Sequence, residues 1–244
     1  MNIYGIKDSA NFTVKHKAGA NKGKVFLYAD YATVATNEWT SEQVYAKSKN
    51  VNAIRWDFGR ASTLKVDMEI FDLKWIAMLA GSEFVTGAKN ILKREVLTLA
   101  DNKASLAGTP VAGSLSVYTL DDDGISNKAE LTVTDGYTIS DKEITVTGEG
   151  VSQIAVFYLL KSDSAKTLTI NADKYPENYE IFADTMIRGT DGVDEFVQIN
   201  YLNVKPKSNF TITMDASNIT TLSAEFDVLK DTASSDMATY TIYK

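Results

Sequence analysis

The sequence predicts a mainly β fold with one short α-helix and a long N-terminal arm. Period-two alternation recurs along the chain, and in residues 210–215 Phe, Ile and Met alternate with Thr, Thr and Asp. Such alternation is typical of antiparallel strands with one buried face. Asp-Gly turns separate several of these runs, at 123–124, 135–136 and 191–192, and they supply the positive φ angles that tight hairpins need.

Residues 1–60 are predicted to form the N-terminal arm with one strand, at 25–32. A basic, glycine-containing loop precedes that strand, at residues 15–24. Residues 32–53 lack a clear period, so we expect loop or short irregular pieces there. A connection of this length inside a compact domain is unusual and often functional.

Residues 61–244 are predicted to form the β domain, which begins with an alternating strand at 61–71. The spacing then changes to that of a helix, from an N-cap at Asp72 to a stop at Gly81. Trp75 and Lys74 are expected near an interface or solvent. The side chains expected to face the sheets are Leu73, Ile76, Ala77 and Ala80.

Strands are predicted to dominate from residue 93 onward. Residues 101–175 are either a β insertion of about 75 residues or part of one long meander. The predicted strands are 94–100, 114–120, 129–134, 143–147, 153–161, 167–172, 177–188, 195–205, 207–215, 220–229 and 238–243.

Composition argues against most catalytic chemistry. The chain has no cysteine and one histidine, His16, which excludes disulfides, thiol nucleophiles and metal sites built on several His or Cys ligands. We predict no enzyme activity, no cofactor and no metal. The N-terminus lacks the pattern of a signal peptide, and the longest apolar runs are far shorter than a membrane helix. The expectation is a protein made in the cytosol that has no membrane partner.

Charge is distributed unevenly along the chain. Residues 1–60 carry nine Lys/Arg and five Asp/Glu, a balance of +4, and the remaining residues carry 16 and 27, a balance of −11. The net charge of −7 argues against general nucleic-acid binding. A basic arm on an acidic body suits head-to-tail association between copies, although chance variation on a solvated surface explains it equally well.

Three groups of residues could carry chemistry and are discounted. The run from Asp121 to Gly124 resembles a calcium loop, but position twelve holds Thr132 rather than the required glutamate. The carboxylates of residues 184–195 flank a turn, where they are ordinary and do not face each other across a cleft. The lysines and glycines of residues 15–24 match no phosphate-loop motif.

Three stretches together resemble the tail tube (major tail) proteins of tailed bacteriophages. One is the strand at 62–71 leading into the helix that ends Leu-Ala-Gly at 79–81. The second is the hairpin strand at 179–188. The third is the closing pattern at 196–199, 204–216 and 224–229. The resemblance covers roughly residues 55–100 and 175–244.

The resemblance implies a two-sheet β-barrel or sandwich with one short flanking α-helix, in a structural protein of the virion tail. Six copies would form a ring, and stacked rings would form a tube through which DNA passes without specific binding. The implied partners are copies of the chain, a tape measure protein and other tail proteins, with assembly in the host cytoplasm. The alternative is a β-sandwich binding module of a virion, as in a decoration or baseplate protein.

Two surfaces are therefore predicted from the sequence. The candidate lumen face comprises the polar sides of two predicted strands, which alternation places opposite the core: Lys65, Asp67, Glu69, Thr211, Thr213 and Asp215. The candidate inter-ring arm comprises the basic side chains of the glycine-containing loop: Lys15, Lys17, Lys22 and Lys24.

Overall fold

A computed structural model describes residues 3–6, 8–121 and 123–243. It confirms a mainly β fold with one short helix in the described chain. In chain order the elements are β1 (Tyr4–Ile6), β2 (Asn11–His16), β3 (Val25–Ala29), β4 (Val34–Ser48), β5 (Val51–Met68), α1 (Leu73–Leu79), β6 (Phe84–Thr98), β7 (Lys103–Ser105), β8 (Ser116–Leu120), β9 (Asn127–Leu131), β10 (Tyr137–Ser140), β11 (Glu143–Val146), β12 (Gln153–Leu168), β13 (Tyr179–Gly189), β14 (Asp194–Pro206), β15 (Leu222–Val228) and β16 (Ala238–Tyr243).

The chain divides into two compact units, residues 1–84 with 168–244 and residues 85–167. In the first unit a nine-stranded sheet runs β3-β2-β13-β14-β15-β5-β4, with β1 on β13 and β16 on β14. Inward side chains from β2 and β13 share one hydrophobic core with those of β5, β15 and α1. The sheet is therefore folded over in a sandwich-like manner, and its path is open, ending at β3 and β4.

The second unit has its own hydrophobic core. It contains a four-stranded sheet, β6-β12-β8-β9, and a three-stranded sheet, β10-β11-β7. Val117, Ile144 and Tyr158 are among the buried residues of this core. The predicted boundary at residue 60 lies inside β5, and the domain assignment stays a prediction.

The helix forms where the sequence predicted it, but its buried face differs. The Asp72 carboxylate accepts a hydrogen bond from the Lys74 backbone N–H at 2.9 Å, as an N-cap does. The prediction that Leu73 faces the sheets and Trp75 faces outward is wrong: Leu73 is 50% exposed and Trp75 is fully buried. Trp75 shares a helical stripe with two other buried residues, Met78 and Leu79, and its large ring gains more from burial than Leu73 does.

The prediction of loop or irregular structure at 32–53 is also wrong, because these residues form most of a long β-hairpin. β4 and β5 pair in an antiparallel ladder from Val34↔Asp67 to Ser48↔Val51. The turn places Lys49 and Asn50 at φ of 46° and 68°, which is the geometry of a type I′ hairpin without its usual glycine.

The predicted strand at 207–215 is absent from the described chain, and the one predicted at 167–172 is present only in its first two residues, as the end of β12. Residues 207–221 belong to no strand, although 207–215 alternate apolar and polar residues. Residues 169–178 likewise lie outside strands, because β12 ends at Leu168. A pattern alone does not make a strand; a neighbouring strand must pair with it.

Candidate assembly interface

The outer part of the β4–β5 hairpin contributes no residue to the hydrophobic core of the first unit. We call residues 41–61 the hairpin tip; all of them are exposed except Ala46, which is half-buried. A two-stranded ribbon of this kind is at best marginally stable in water when nothing packs against it. The hairpin tip is therefore the first candidate for contact with another chain.

The hairpin tip has one apolar and one polar face. Val44 pairs with Trp56, and Ala46 pairs with Ile54, so these side chains lie on the same side of the ribbon. Phe58 continues that row. Trp56 and Phe58 are 52% and 51% exposed, and we call this row the apolar face.

The opposite face of the hairpin tip is held by polar contacts. The Arg55 guanidinium lies 3.1 Å from the Asp57 carboxylate, and the Tyr45 hydroxyl donates to the Gln43 side-chain oxygen at 3.3 Å. These polar groups are therefore paired within the subunit, unlike the side chains of the apolar face.

A register shift turns the apolar face away from the subunit's own core. The ladder changes register between Thr40 and Glu42, a β-bulge that re-aims the strand. On β4, Asn37 pairs with the buried Leu64 and so lies on the face that covers the core. Val44 lies on the opposite face, the same face as Thr36. The apolar face therefore cannot be covered by the core below it.

The sheet of the first unit also has free edges within the described residues. β3 pairs with β2, and β4 pairs with β5, each on one side. Unpaired strand edges are templates for pairing with another chain. Sequence reasoning missed the hairpin tip, although the alternation of Ile54, Trp56 and Phe58 was a signal that could have found it.

The candidate lumen residues on β5 occupy one polar face. Lys65 and Asp67 point away from the core, and their charged groups lie 3.3 Å apart. Opposite them on β15, Glu225 pairs with Lys65 in the ladder. Glu69 is exposed and follows the end of β5.

The other candidate lumen residues are not on a strand. Thr211, Thr213 and Asp215 are exposed in the segment between β14 and β15. Hydrogen bonds from Asn218 and from the backbone at Ser217 lower the pKa of the Asp215 carboxyl. The structure therefore does not bring these three residues into one sheet with Lys65.

The candidate arm lysines are not gathered on one surface. Lys15 lies on β2, with its ammonium 5.4 Å from the centre of the Phe182 ring. Lys17 forms a 2.7 Å ion pair with Asp231, and the hydrogen bond from Lys17 lowers the pKa of that carboxyl. The remaining two candidates, Lys22 and Lys24, are exposed in the loop.

The discounted carboxylates form structural contacts. Asp184 accepts a hydrogen bond from Gln198 at 2.8 Å on the neighbouring strand. Arg188 donates two hydrogen bonds to Asp194. Hydrogen bonding from Arg188 lowers the pKa of the Asp194 carboxyl. Within the described residues no group of three or more acidic, histidine or cysteine side chains is placed to hold a metal ion. The described chain also has no helix with the length and hydropathy needed to cross a bilayer.

Comparison with known proteins gives two findings. A family model described as the YomU/Tube protein family matches residues 4–242. The chain is also similar to the tail tube protein of Bacillus phage SPR, with 25% identity over 241 residues that cover 96% of this chain and 86% of that protein. The resemblance to phage tail tube proteins noted from the sequence is confirmed.

Proposed function

The chain belongs to the YomU/Tube protein family, and we propose that it polymerises from identical copies to form the tube of a phage tail. Its role is that of a structural virion protein rather than an enzyme. Copies associate as rings of six that stack into a hollow tube, the conduit for DNA ejection. A tape measure protein and other tail proteins complete the assembly, which takes place in the host cytoplasm.

The observation that carries this proposal is the two-faced hairpin tip. Its apolar face exposes Trp56, Phe58 and Ile54 to water in the single subunit, and contiguous exposed apolar surface marks interaction sites. Polymerisation from identical copies would cover this face in every subunit. The free edges at β3 and β4 support the same reading, because each could pair with a segment of a neighbouring copy.

We assign the channel wall to the polar outward face of β5 and β15. Carboxylates exceed lysines on this face, so six copies would present a net negative wall that repels DNA. Lys207 lies 3.2 Å from Glu225 and 3.8 Å from Asp227, which neutralises part of the charge. Together with the neighbouring positions on β4 and β14, the charged residues of the face are Glu38, Lys65, Asp67, Lys205, Lys207, Glu225 and Asp227.

The basic loop remains our proposal for contact between rings. Lys22 and Lys24 are exposed and point from a loop whose base is fixed by the ion pair of Lys17 with Asp231. Attraction to acidic surface on the next ring would orient stacking. Lys15 is no longer expected to take part, because it lies on the sheet above Phe182.

The test is electron microscopy of the purified chain after incubation at increasing concentration. We expect rings or hollow tubes about 80–120 Å wide, from six domains of this size. A single small species at every concentration would contradict the proposal and favour a binding module.

A cysteine test addresses the channel wall, because the natural chain has no cysteine. In tubes, Asp67→Cys should react with a small thiol reagent and be protected from a reagent carried on a large polymer. In unassembled subunits it should react with both reagents. Equal reaction with the large reagent in tubes would place Asp67 on the outside.

A further inference from the structure

The segment between β14 and β15, residues 208–221, has the pattern of a strand but no strand to pair with. Phe210, Ile212 and Met214 alternate with polar residues. No backbone-to-backbone hydrogen bond within the described residues reaches this segment. The segment therefore has the alternation of a strand, but no strand of the described chain forms a ladder with it.

Local side-chain contacts hold the segment as an exposed loop. The Asp215 carboxylate accepts hydrogen bonds from the Ser217 backbone at 2.8 Å and the Asn218 side chain at 2.7 Å. The Thr220 hydroxyl donates to the Thr213 carbonyl at 2.9 Å. Phe210 is half-buried against the subunit's own core, whereas Ile212 and Met214 are 38% and 90% exposed. The outer two side chains of the apolar row therefore face water in the single subunit.

A groove of suitable character lies elsewhere on the same unit, between β3 and α1. It has a volume of about 370 Å³, and Val25, Phe26, Ala77 and Phe84 contribute its apolar lining. Val25 and Phe26 of the lining belong to β3, which pairs with β2 on one side and has a free edge on the other. A free edge beside an apolar groove is what strand addition between chains requires.

A lysine of α1 covers part of β3 in the single subunit. The Lys74 ammonium donates a hydrogen bond of 3.4 Å to the Phe26 carbonyl oxygen of β3. Covering an edge strand with a neighbouring element is a common protection against unwanted pairing. The flexible side chain of Lys74 can move aside when a strand adds.

We propose that residues 211–215 of one copy add as a strand to the free edge of β3 in a neighbouring copy. The exposed side chains of Ile212 and Met214 enter the groove beside α1, and Phe210 stays packed on its own subunit's core. This inference rests on the proposed polymerisation and names one of its contacts.

Charge favours this occupant. Asp215 is the single charged residue of the segment. The groove carries Lys24 and Lys74 against Glu83, with His16 also in its lining. A segment with one negative charge thus meets a rim with one excess positive charge.

The first test is a cross-link between two different chains. Ile212→Cys chains are mixed with Val25→Cys or Tyr28→Cys chains, polymerised and oxidised, since a disulfide forms only between closely placed residues. We expect covalent dimers on a non-reducing gel from at least one mixture. The control mixture pairs Ile212→Cys with Ile242→Cys on β16.

The outcomes of the cross-linking test separate a failure of this contact from a failure of the proposed function. Tubes without a cross-link to Val25 or Tyr28, or with a cross-link to Ile242 instead, would overturn this proposal and leave the tube function standing. A wild-type chain that never polymerises would overturn the proposed function, and this contact with it.

The second test is Thr211→Pro, with Thr211→Ser as the matched control. Proline removes a ladder donor but keeps the preceding residue extended, and Thr211 is exposed in the single subunit. The proline variant should raise the critical concentration about ten-fold, or about 1.4 kcal/mol, at unchanged thermal stability of the subunit. Polymerisation at the wild-type concentration, or an equal effect of serine, would overturn the proposal.

Discussion

Replacing Trp56 with serine is expected to block polymerisation while leaving the subunit folded. Trp56 is 52% exposed and belongs to neither hydrophobic core. A tryptophan buries roughly 200 Å² when fully covered, so covering its exposed half removes roughly 100 Å² from water. At about 25 cal/mol per Å² this contributes about 2.5 kcal/mol per contact, or a roughly sixty-fold rise in critical concentration on its removal.

The assay is sedimentation of polymer over a concentration series, with the thermal midpoint of the dilute subunit measured in parallel. Tyr175→Ser is the matched control, because Tyr175 is an exposed aromatic residue away from the hairpin tip. Polymerisation of Trp56→Ser at the wild-type concentration would refute the assignment of the apolar face as an interface. A lower thermal midpoint for Trp56→Ser alone would show that this ring supports its own subunit instead.

Three further predictions concern the folded subunit. Trp75→Ala should lower the free energy of unfolding by about 3–5 kcal/mol in urea titration, because the ring is fully buried, whereas Leu73→Ala should have little effect; equal effects would contradict the observed helix face. Gly81→Ala should lower the free energy of unfolding by more than about 1 kcal/mol, since φ is +62° and a Cβ atom would lie 2.4 Å from the backbone of Tyr175. A variant with wild-type stability would contradict this. The Lys17 hydrogen bond lowers the pKa of Asp231, so this pair stabilises the subunit above the usual carboxyl pKa of about 4 and the stabilisation is lost as pH falls through the lowered value. The stability difference between wild type and Lys17→Ala should therefore shrink on acidification, and a difference independent of pH would rule out the pair.

The sequence predicts strands well where one face is buried in the subunit's own core. β15 and the inner half of β5 are examples, because burial of Leu64, Val66 and Phe226 forces strict alternation. The helix ends are also predictable, since the Asp72 cap and Gly81 act locally. The buried face of α1 is not, because tertiary packing selected Trp75 over Leu73.

Prediction fails where the neighbour of a segment is not in the same core. Residues 41–53 of the hairpin tip are exposed on both faces apart from the half-buried Ala46, so their pattern gives no single period. Residues 207–215 show the reverse case, with a clear period and no ladder partner in the described chain. Both deviations occur on surfaces for which we propose contact between copies.

A map of the polymerised chain at side-chain resolution tests the central claim most directly. The account predicts a hollow tube of stacked rings in which the apolar face of every hairpin tip, including Trp56 and Phe58, is buried against a neighbouring copy. A polymer in which these side chains remain in solvent, or a purified chain that stays a single small species at high concentration, would contradict it.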